Sequence, residues 1–351
     1  MIRFTNTSLL ILVTFLGITG IVMLYGSWLP LVFDLHRMAG FSLLILVPWK
    51  SIIIYRSLRR GMGKNFDRRN VLYASVALAL LTVLIIVLGL IWLLRLGPYD
   101  ILTQTIIAWH WIIGLLLVPL FAFHLWRRWP NPRMRDILSR RDILKFFAAA
   151  GAGIAGSLLA NQVGALAASQ ESPRRFTGSR GSGHFTGNNF PIFGEPTQIL
   201  DPEKWRLAVI GAVKTPLSLT YSDMLVRGSH LQTETLDCTS GWYSVQEWQG
   251  VRLVDLLEES GMNSGAAGVR LVSATGYSHT YPLVEARSIL LATHVSGEVL
   301  EPRHGFPLRA VVPGRRGWFW VKWLTEIEIL ETAWDVAAGI LASPWEVTKQ
   351  W

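Results

Sequence analysis

One cysteine, Cys238, stands in 351 residues, so no disulfide can form within the chain. Charge is also scarce. Asp, Glu, Lys and Arg make up 16% of the chain against the roughly 25% usual for soluble domains, which excludes an ordinary soluble enzyme. Internal repeats of the solenoid kind are absent. Acidic residues are too few to balance the basic ones, 24 against 33, leaving a formal charge of +9. That excess does not read as nucleic-acid binding. It crowds into two short loops beside apolar runs, without the interleaved aromatics of such sites. What abounds is apolar residues at 51%, and Trp, 16 in all. Tryptophan favours the membrane–water interface, so composition points to a membrane part.

Four apolar runs, 8–29, 35–55, 71–94 and 103–126, each approach the roughly 20 residues of a bilayer-spanning helix. The connections after the second and fourth, "RSLRRGMGKNFDRRN" and "RRWPNPRMRDILSRRD", are strongly basic, and the other two are not. Lys and Arg stay on the cytoplasmic side, so the N-terminus is expected in the cytoplasm and the chain returns there after the fourth helix. The stretch "SRRDILKFFAAAGAGIAGSLLA" follows, from Ser139. Arg140 and Arg141 before a small-residue apolar run match a twin-arginine export signal, with Ile143 where that pattern has Phe. A plain positive-inside anchor is the competing reading. Retention as a fifth span is expected, and cleavage at "ALAAS", 165–169, is the alternative.

Ionisable residues inside spans point to function, and His36, His110 and His124 qualify. His110 and His124 are 14 residues apart, about 40° short of four full helical turns and about 21 Å of rise, so they share one face at two depths. His36 on the second helix faces His110 at similar depth. This arrangement resembles di-haem membrane cytochromes b, and the resemblance implies haem b held by His36 and His110. Fourteen residues after His36 stands Lys50 rather than histidine. One outer haem is therefore expected, and His124 is left as a candidate ligand of a doubtful inner one, the competing role being a hydrogen bond to its surroundings.

After a Gly/Ser/Arg-rich linker, β-rich runs alternate with turn signals: "WRLAVIGAV", "VRLVSATGYS", "LRAVVP", "TEIEILE". A helix is expected at "GVRLVDLLEESG", ended by Gly261. The fold class is thus an N-terminal all-α transmembrane bundle followed by an α+β, mostly β, domain. The expected boundaries are 1–130 for the four-helix part, 131–170 for the signal and fifth apolar segment, 171–187 for the linker, 188–335 for the second domain and 336–351 for a tail.

The ordered motifs "LDCTSGWYS", "WQGVRLVDLL", "VRLVSATGYSHTYPL", "EPRHGFPLRAVVP" and "VKWLTEIEI" resemble the sulfite-oxidase-type molybdopterin family over 184–335. They are most similar to its bacterial branch that includes the catalytic subunit of periplasmic protein-methionine-sulfoxide reductase. The resemblance implies an enzyme, a molybdopterin-dependent oxidoreductase whose single cysteine thiolate, here Cys238, binds molybdenum. It implies pterin contacts at Asn188, at the backbone of Pro191 and Ile192, and at Ser273, His304, Arg309, Lys322 and the backbone of Val321. Arg309 and Lys322 also make sense unaided, since the pterin ends in a phosphate and fixed cations hold phosphates.

The two halves together imply a quinone pool, membrane lipid and a small-molecule or protein-bound oxidised substrate as partners. The second domain is expected outside the cytoplasmic membrane, moved there already folded around its cofactor. Reduction of an S-oxide or N-oxide is the expected direction, and oxidation of sulfite is the alternative. Arg315 and Arg316 are candidates for holding a dianion and equally for pterin-side or docking residues, while Trp242 and Tyr243 are candidates for an aromatic mouth that suits an organic substrate. A metal-free interaction module is the reading from another class.

Overall fold

The computed structural model describes residues 2–26, 30–61, 66–96, 100–102, 104–127, 129, 140–167, 174–181, 185–192 and 196–342. Two compact units emerge, Met1–Arg180 with Thr239–Gly241, and Gly181–Cys238 with Trp242–Trp351.

The first unit is helical: α1 (Ile2–Tyr25), α2 (Pro30–Gly61), α3 (Phe66–Leu94), α4 (Ile106–Arg127) and α5 (Arg140–Ala167). Among the described residues these are five helices long and apolar enough to cross a membrane. The second and third run past the apolar limits read from sequence, because a helix continues into its polar flank while its backbone bonds persist. The distribution of side chains is inverted relative to a water-soluble bundle. Leu31, Leu80, Leu116 and Leu159 lie outside, each about two-thirds exposed, while Thr5, Thr7, Ser8, Thr19, Ser42 and Ser157 are buried. That pattern suits a surround as apolar as leucine, where helices associate through small and hydroxyl-bearing residues.

α1 packs on α2, α2 on α5, and α3 on α4. α5 is a full member of this bundle. Ser42 Oγ donates to Ala149 O at 3.2 Å, and a Cβ at Gly153 would stand 2.7 Å from Met38 O. Ser139, and residues 168–169 of the "ALAAS" stretch, lie outside the described residues.

Among the described residues from 196 onward, the second unit holds ten strands that we number β1 (Arg206–Gly211), β2 (Leu217–Thr220), β3 (His230–Asp237), β4 (Trp242–Arg252), β5 (Gly268–Ser273), β6 (Ser278–Pro282), β7 (Leu290–Val295), β8 (Glu298–Val299), β9 (Arg309–Val311) and β10 (Leu324–Leu330). One sheet runs β2-β1-β10-β5-β6, antiparallel except where β10 lies parallel to β1. The other is built on the antiparallel pair β4 and β7, with β3 on β4, and β8 and β9 on β7. Alternation on β4 sends Trp242, Ser244, Gln246 and Trp248 inward.

Four helices complete the unit: α6 (Tyr221–Arg227), α7 (Leu253–Glu259), α8 (Leu283–Ala286) and α9 (Ala333–Leu341). α7 is the helix expected before Gly261. Capping boxes start α6 at Thr220–Asp223 and α9 at Thr332–Asp335. α9 revises the expected tail. Val336 is 6% exposed, and a Cβ at Gly339 would lie 3.0 Å from Thr280 Cβ, so residues 333–341 seat on β5 and β6 as part of the domain.

Candidate functional site

Cys238 follows β3 directly, at the turn into β4. Its amide donates to Trp242 O at 2.9 Å, and Asp237 pairs with Tyr243 in the ladder below. Arg316 Nη2 donates to Cys238 O at 2.9 Å, and its Nη1 lies 3.1 Å from Asp237 Oδ1. Gly317 closes in beside them, where a Cβ would meet Cys238 Cα at 3.6 Å and Leu236 Cδ1 at 3.1 Å.

Arg309 opens β9 as a buried cation, 5% exposed. Its Nη1 donates to His304 O at 3.0 Å, and its guanidinium carbon lies 5.4, 5.6 and 5.8 Å from the ring centres of Phe190, Trp248 and Trp320. Burial pulls this guanidinium down to about 10, and the charge of Cys238 opposes the pull. Arg309 therefore stays protonated at neutral pH.

Around it, Arg309 Nε, Trp248 Nε1, Trp320 Nε1 and His304 Nδ1 are buried, with no hydrogen-bond partner among the described residues. Buried polar atoms are ordinarily satisfied, so a gathering of donors and a ring nitrogen about one cation could hold an anionic, acceptor-rich group. His304 Nε2 donates to Phe190 O at 2.9 Å. Burial holds its pKa down to about 4, so the ring is neutral near pH 7 and Nδ1 offers a lone pair.

Lys322, Val321 and Ser273 are brought to the same place. Gly305 takes φ +111°, open to glycine, and a Cβ there would stand 3.2 Å from both Arg309 Cβ and Lys322 Cβ. Ala310 N donates to Val321 O at 2.8 Å and Leu324 N to Leu308 O at 3.0 Å, while Ala274 N donates to Trp323 O at 2.8 Å. Lys322 Nζ lies 4.2 Å from the centre of the Trp323 ring. Ser273 Oγ accepts from Thr275 N at 3.3 Å.

Asn188 is used differently from a free ligand amide. Nδ2 donates to Val299 O at 2.9 Å and to Glu298 at 3.2 Å, and Oδ1 accepts from Glu301 N at 3.0 Å. It straps the segment bearing Phe190 to the segment bearing His304. Pro191 and Ile192 follow on the exposed side of this strap.

Two sequence expectations are revised. Trp242 does not form a mouth: it is 6% exposed, with its ring 5.2 Å from Phe185 and 6.0 Å from Phe190. Inward alternation on β4 puts it in the core. Arg315 and Arg316 are not a pair of free cations. Arg315 donates to both Glu285 oxygens, at 2.5 and 2.8 Å, and Arg316 is held on Asp237. Sequence reasoning passed over Trp248 and Trp320, whose signal was only an abundance of indoles in "EWQG" and "GWFW".

In the helical unit, His36 and His110 have ring centres 6.3 Å apart. Thr19 donates its hydroxyl to Phe15 O at 2.8 Å, so its oxygen accepts from His36 Nδ1, 2.8 Å away. His110 Nδ1 donates to Ile85 O at 2.9 Å. With Nδ1 donating, Nε2 is the nitrogen that each neutral ring would offer to a metal. With nitrogen–metal bonds of about 2 Å on either side, two rings sharing one ion would have centres about 6 Å apart. His124 Nδ1 lies 3.1 Å from Ser75 Oγ, and Lys50 Nζ donates to Asn6 Oδ1 at 3.1 Å.

The family model described as the oxidoreductase molybdopterin binding domain matches residues 194–337. The chain is 35% identical to the uncharacterized oxidoreductase YuiH of Bacillus subtilis over 145 residues, 40% of this chain and 73% of that protein. It is 31% identical to mitochondrial sulfite oxidase of Rattus norvegicus over 177 residues, 41% of this chain and 32% of that protein. It is 30% identical to the NADH nitrate reductase of Spinacia oleracea over 169 residues, 38% of this chain and 18% of that protein. The chain thus spans about a third or less of the length of the last two.

Proposed function

The chain belongs to the oxidoreductase molybdopterin-binding domain family of sulfite-oxidase type, and from that premise we propose a membrane-held enzyme that exchanges electrons between a quinone pool and an extracytoplasmic substrate by oxygen-atom transfer. Molybdenum–molybdopterin bound in the second unit supplies two-electron redox chemistry. Cys238 is its thiolate ligand, a soft donor for a redox-active metal. Arg309 and Lys322 hold the pterin phosphate, and the Trp248 and Trp320 indoles offer donors to the same acceptor-rich group. His304, neutral at pH 7, accepts from it through Nδ1. Ser273 and the backbone of Val321, Pro191 and Ile192 complete the contacts, and Asn188 keeps two walls of the socket together. These residues bind and orient. The buried, partnerless donors support a filled socket over a metal-free module.

Haem b would supply one-electron transfer in the helical unit, where His36 and His110 would hold the iron through Nε2, their Nδ1 atoms being engaged by Thr19 and Ile85 O. A single haem is favoured, because the position fourteen residues after His36 is Lys50, whose ammonium donates to Asn6 and offers no lone pair opposite His124. The outward leucines and buried hydroxyls support a bilayer around this unit. The two basic loops support a cytoplasmic N-terminus and an extracytoplasmic second unit.

For direction, one observation carries most. The adjacent arginines that a dianion clamp would need are each bound to a carboxylate, Arg315 to Glu285 and Arg316 to Asp237. With their charge neutralised, reduction of an uncharged S-oxide or N-oxide is the favoured reaction. Oxidation of sulfite is the second reading, favoured by the likeness to sulfite oxidases. Purified enzyme is to be assayed with a reduced quinol analogue plus sulfoxides or amine N-oxides, and separately with sulfite plus oxidised quinone. Turnover of sulfite alone overturns the reductase direction. A well-folded chain from cells supplied with molybdate that contains no molybdenum overturns the enzyme reading and favours the module.

A further inference from the structure

Arg316 makes its contacts on the two residues that end β3 and begin the turn, Asp237 and Cys238. Its guanidinium is buried, 5% exposed, and so is Asp237, at 1%. Asp237 is the residue immediately before Cys238, and a parallel backbone bridge joins it to Arg316. One planar guanidinium thus pairs by charge with the side chain of residue 237, Nη1 standing 3.1 Å from Oδ1, and donates from Nη2 to the carbonyl of residue 238 at 2.9 Å. On the other side, Cys238 N is fixed on Trp242 O.

We propose that Arg316 is the positioning residue that aims the Cys238 side chain. The inference rests on the reading of Cys238 as the metal's ligand. Direction at Cα is set by the two peptide planes that flank it. The hairpin holds the N-terminal plane, and Arg316 holds the C-terminal one through its carbonyl oxygen. Two charges taken out of water gain little net stability, so a pair costly to bury and placed against a reactive residue is retained for geometry. Gly317 makes the approach feasible, since a side chain there would press on Leu236 and Cys238. Arginine is required because only a fork reaches two acceptors in fixed geometry, where an ammonium is a single point charge. The neighbouring Arg315 turns to Glu285 and has no such role.

The test uses the full chain with Arg316→Met, Arg316→Lys and, as a control, Arg315→Met. Three readouts are taken: molybdenum per chain, the thiolate-to-metal charge-transfer band with the Mo(V) resonance, and kcat against KM. A fourth is the alkylation rate of the metal-free thiol at one pH by iodoacetamide, read by mass. Cys238 is the sole cysteine, so the label has one address. In Arg316→Met, folded by cooperative melting, the band and resonance shift and kcat falls roughly 100-fold, the scale of a misplaced reacting group. KM changes little, and alkylation changes severalfold. Arg316→Lys lies between it and the wild type, while Arg315→Met keeps the wild-type band and thiol rate.

A folded Arg316→Met with unchanged spectrum, kcat and alkylation rate overturns the proposal. Should that variant not fold, Arg316→Lys decides, and a wild-type spectrum and thiol rate there overturn it equally. A wild-type chain without molybdenum would sink the metal reading instead, and the alkylation rates would still judge the positioning.

Discussion

The imidazole rings of His36 and His110 stand 6.3 Å apart on α2 and α4, each with Nδ1 engaged, by Thr19 and by Ile85 O respectively. Replacing either by Ala is expected to abolish a low-spin bis-imidazole spectrum and to stop electron flow between quinol and molybdenum. His124→Ala is expected to leave most haem absorbance intact. A pyridine-haemochrome assay with the spectrum of each variant checks this. Two haems per chain, one of them lost in His124→Ala, would mean that the inner site is filled after all.

Cys238→Ser is expected to reduce turnover to background, because a hydroxyl replaces a soft thiolate at the metal. The side chain is nearly isosteric and half-buried, so the melting temperature should move by less than about 3 °C. Near-wild-type activity in this variant would remove Cys238 from the metal's coordination.

Arg140→Lys with Arg141→Lys keeps the positive charge and hence the topological cue. The double variant is expected to block export of the folded second unit, which protease added outside sealed cells would then spare. Display of an active second unit by this variant would make the segment an ordinary topogenic loop. Because α5 packs backbone to backbone on α2, the exported protein should keep both units in one polypeptide, which its intact mass will report.

Acid is expected to destabilise the protein through two neutral histidines. Burial is the largest cause that holds both His304 and His279 down to about 4, against an ordinary value of about 6.5. The unfolded chain therefore binds these protons more readily than the folded one. Their contribution is complete above about pH 6.5 and is lost as pH falls towards 4. Melting of the full chain in detergent between pH 7.5 and 4.5 should show the decline, and His279→Gln should flatten it. A slope identical to wild type in that variant would exclude His279 as a source.

Much of this protein is legible in its sequence. Five apolar segments of membrane length follow from run length alone, since a helix satisfies its backbone wherever the chain is apolar enough. The order of motifs around Cys238, His304, Arg309 and Lys322 was sufficient to name the family, and the 14-residue interval after His110 implied a shared helix face. Other properties depend on which distant segments meet, and periodicity carries no record of that. The charge of Arg315 is neutralised by Glu285 from another element, and that of Arg316 by Asp237 across the sheet. Trp242 is buried by Phe185 and Phe190, and the amide of Asn188 is occupied by the 298–301 segment. Composition and spacing report local preferences. Hydrogen bonds and ion pairs between residues far apart in the chain come into being only when the sheets close and exclude water, so tertiary structure alone decided which polar groups remained to meet a ligand.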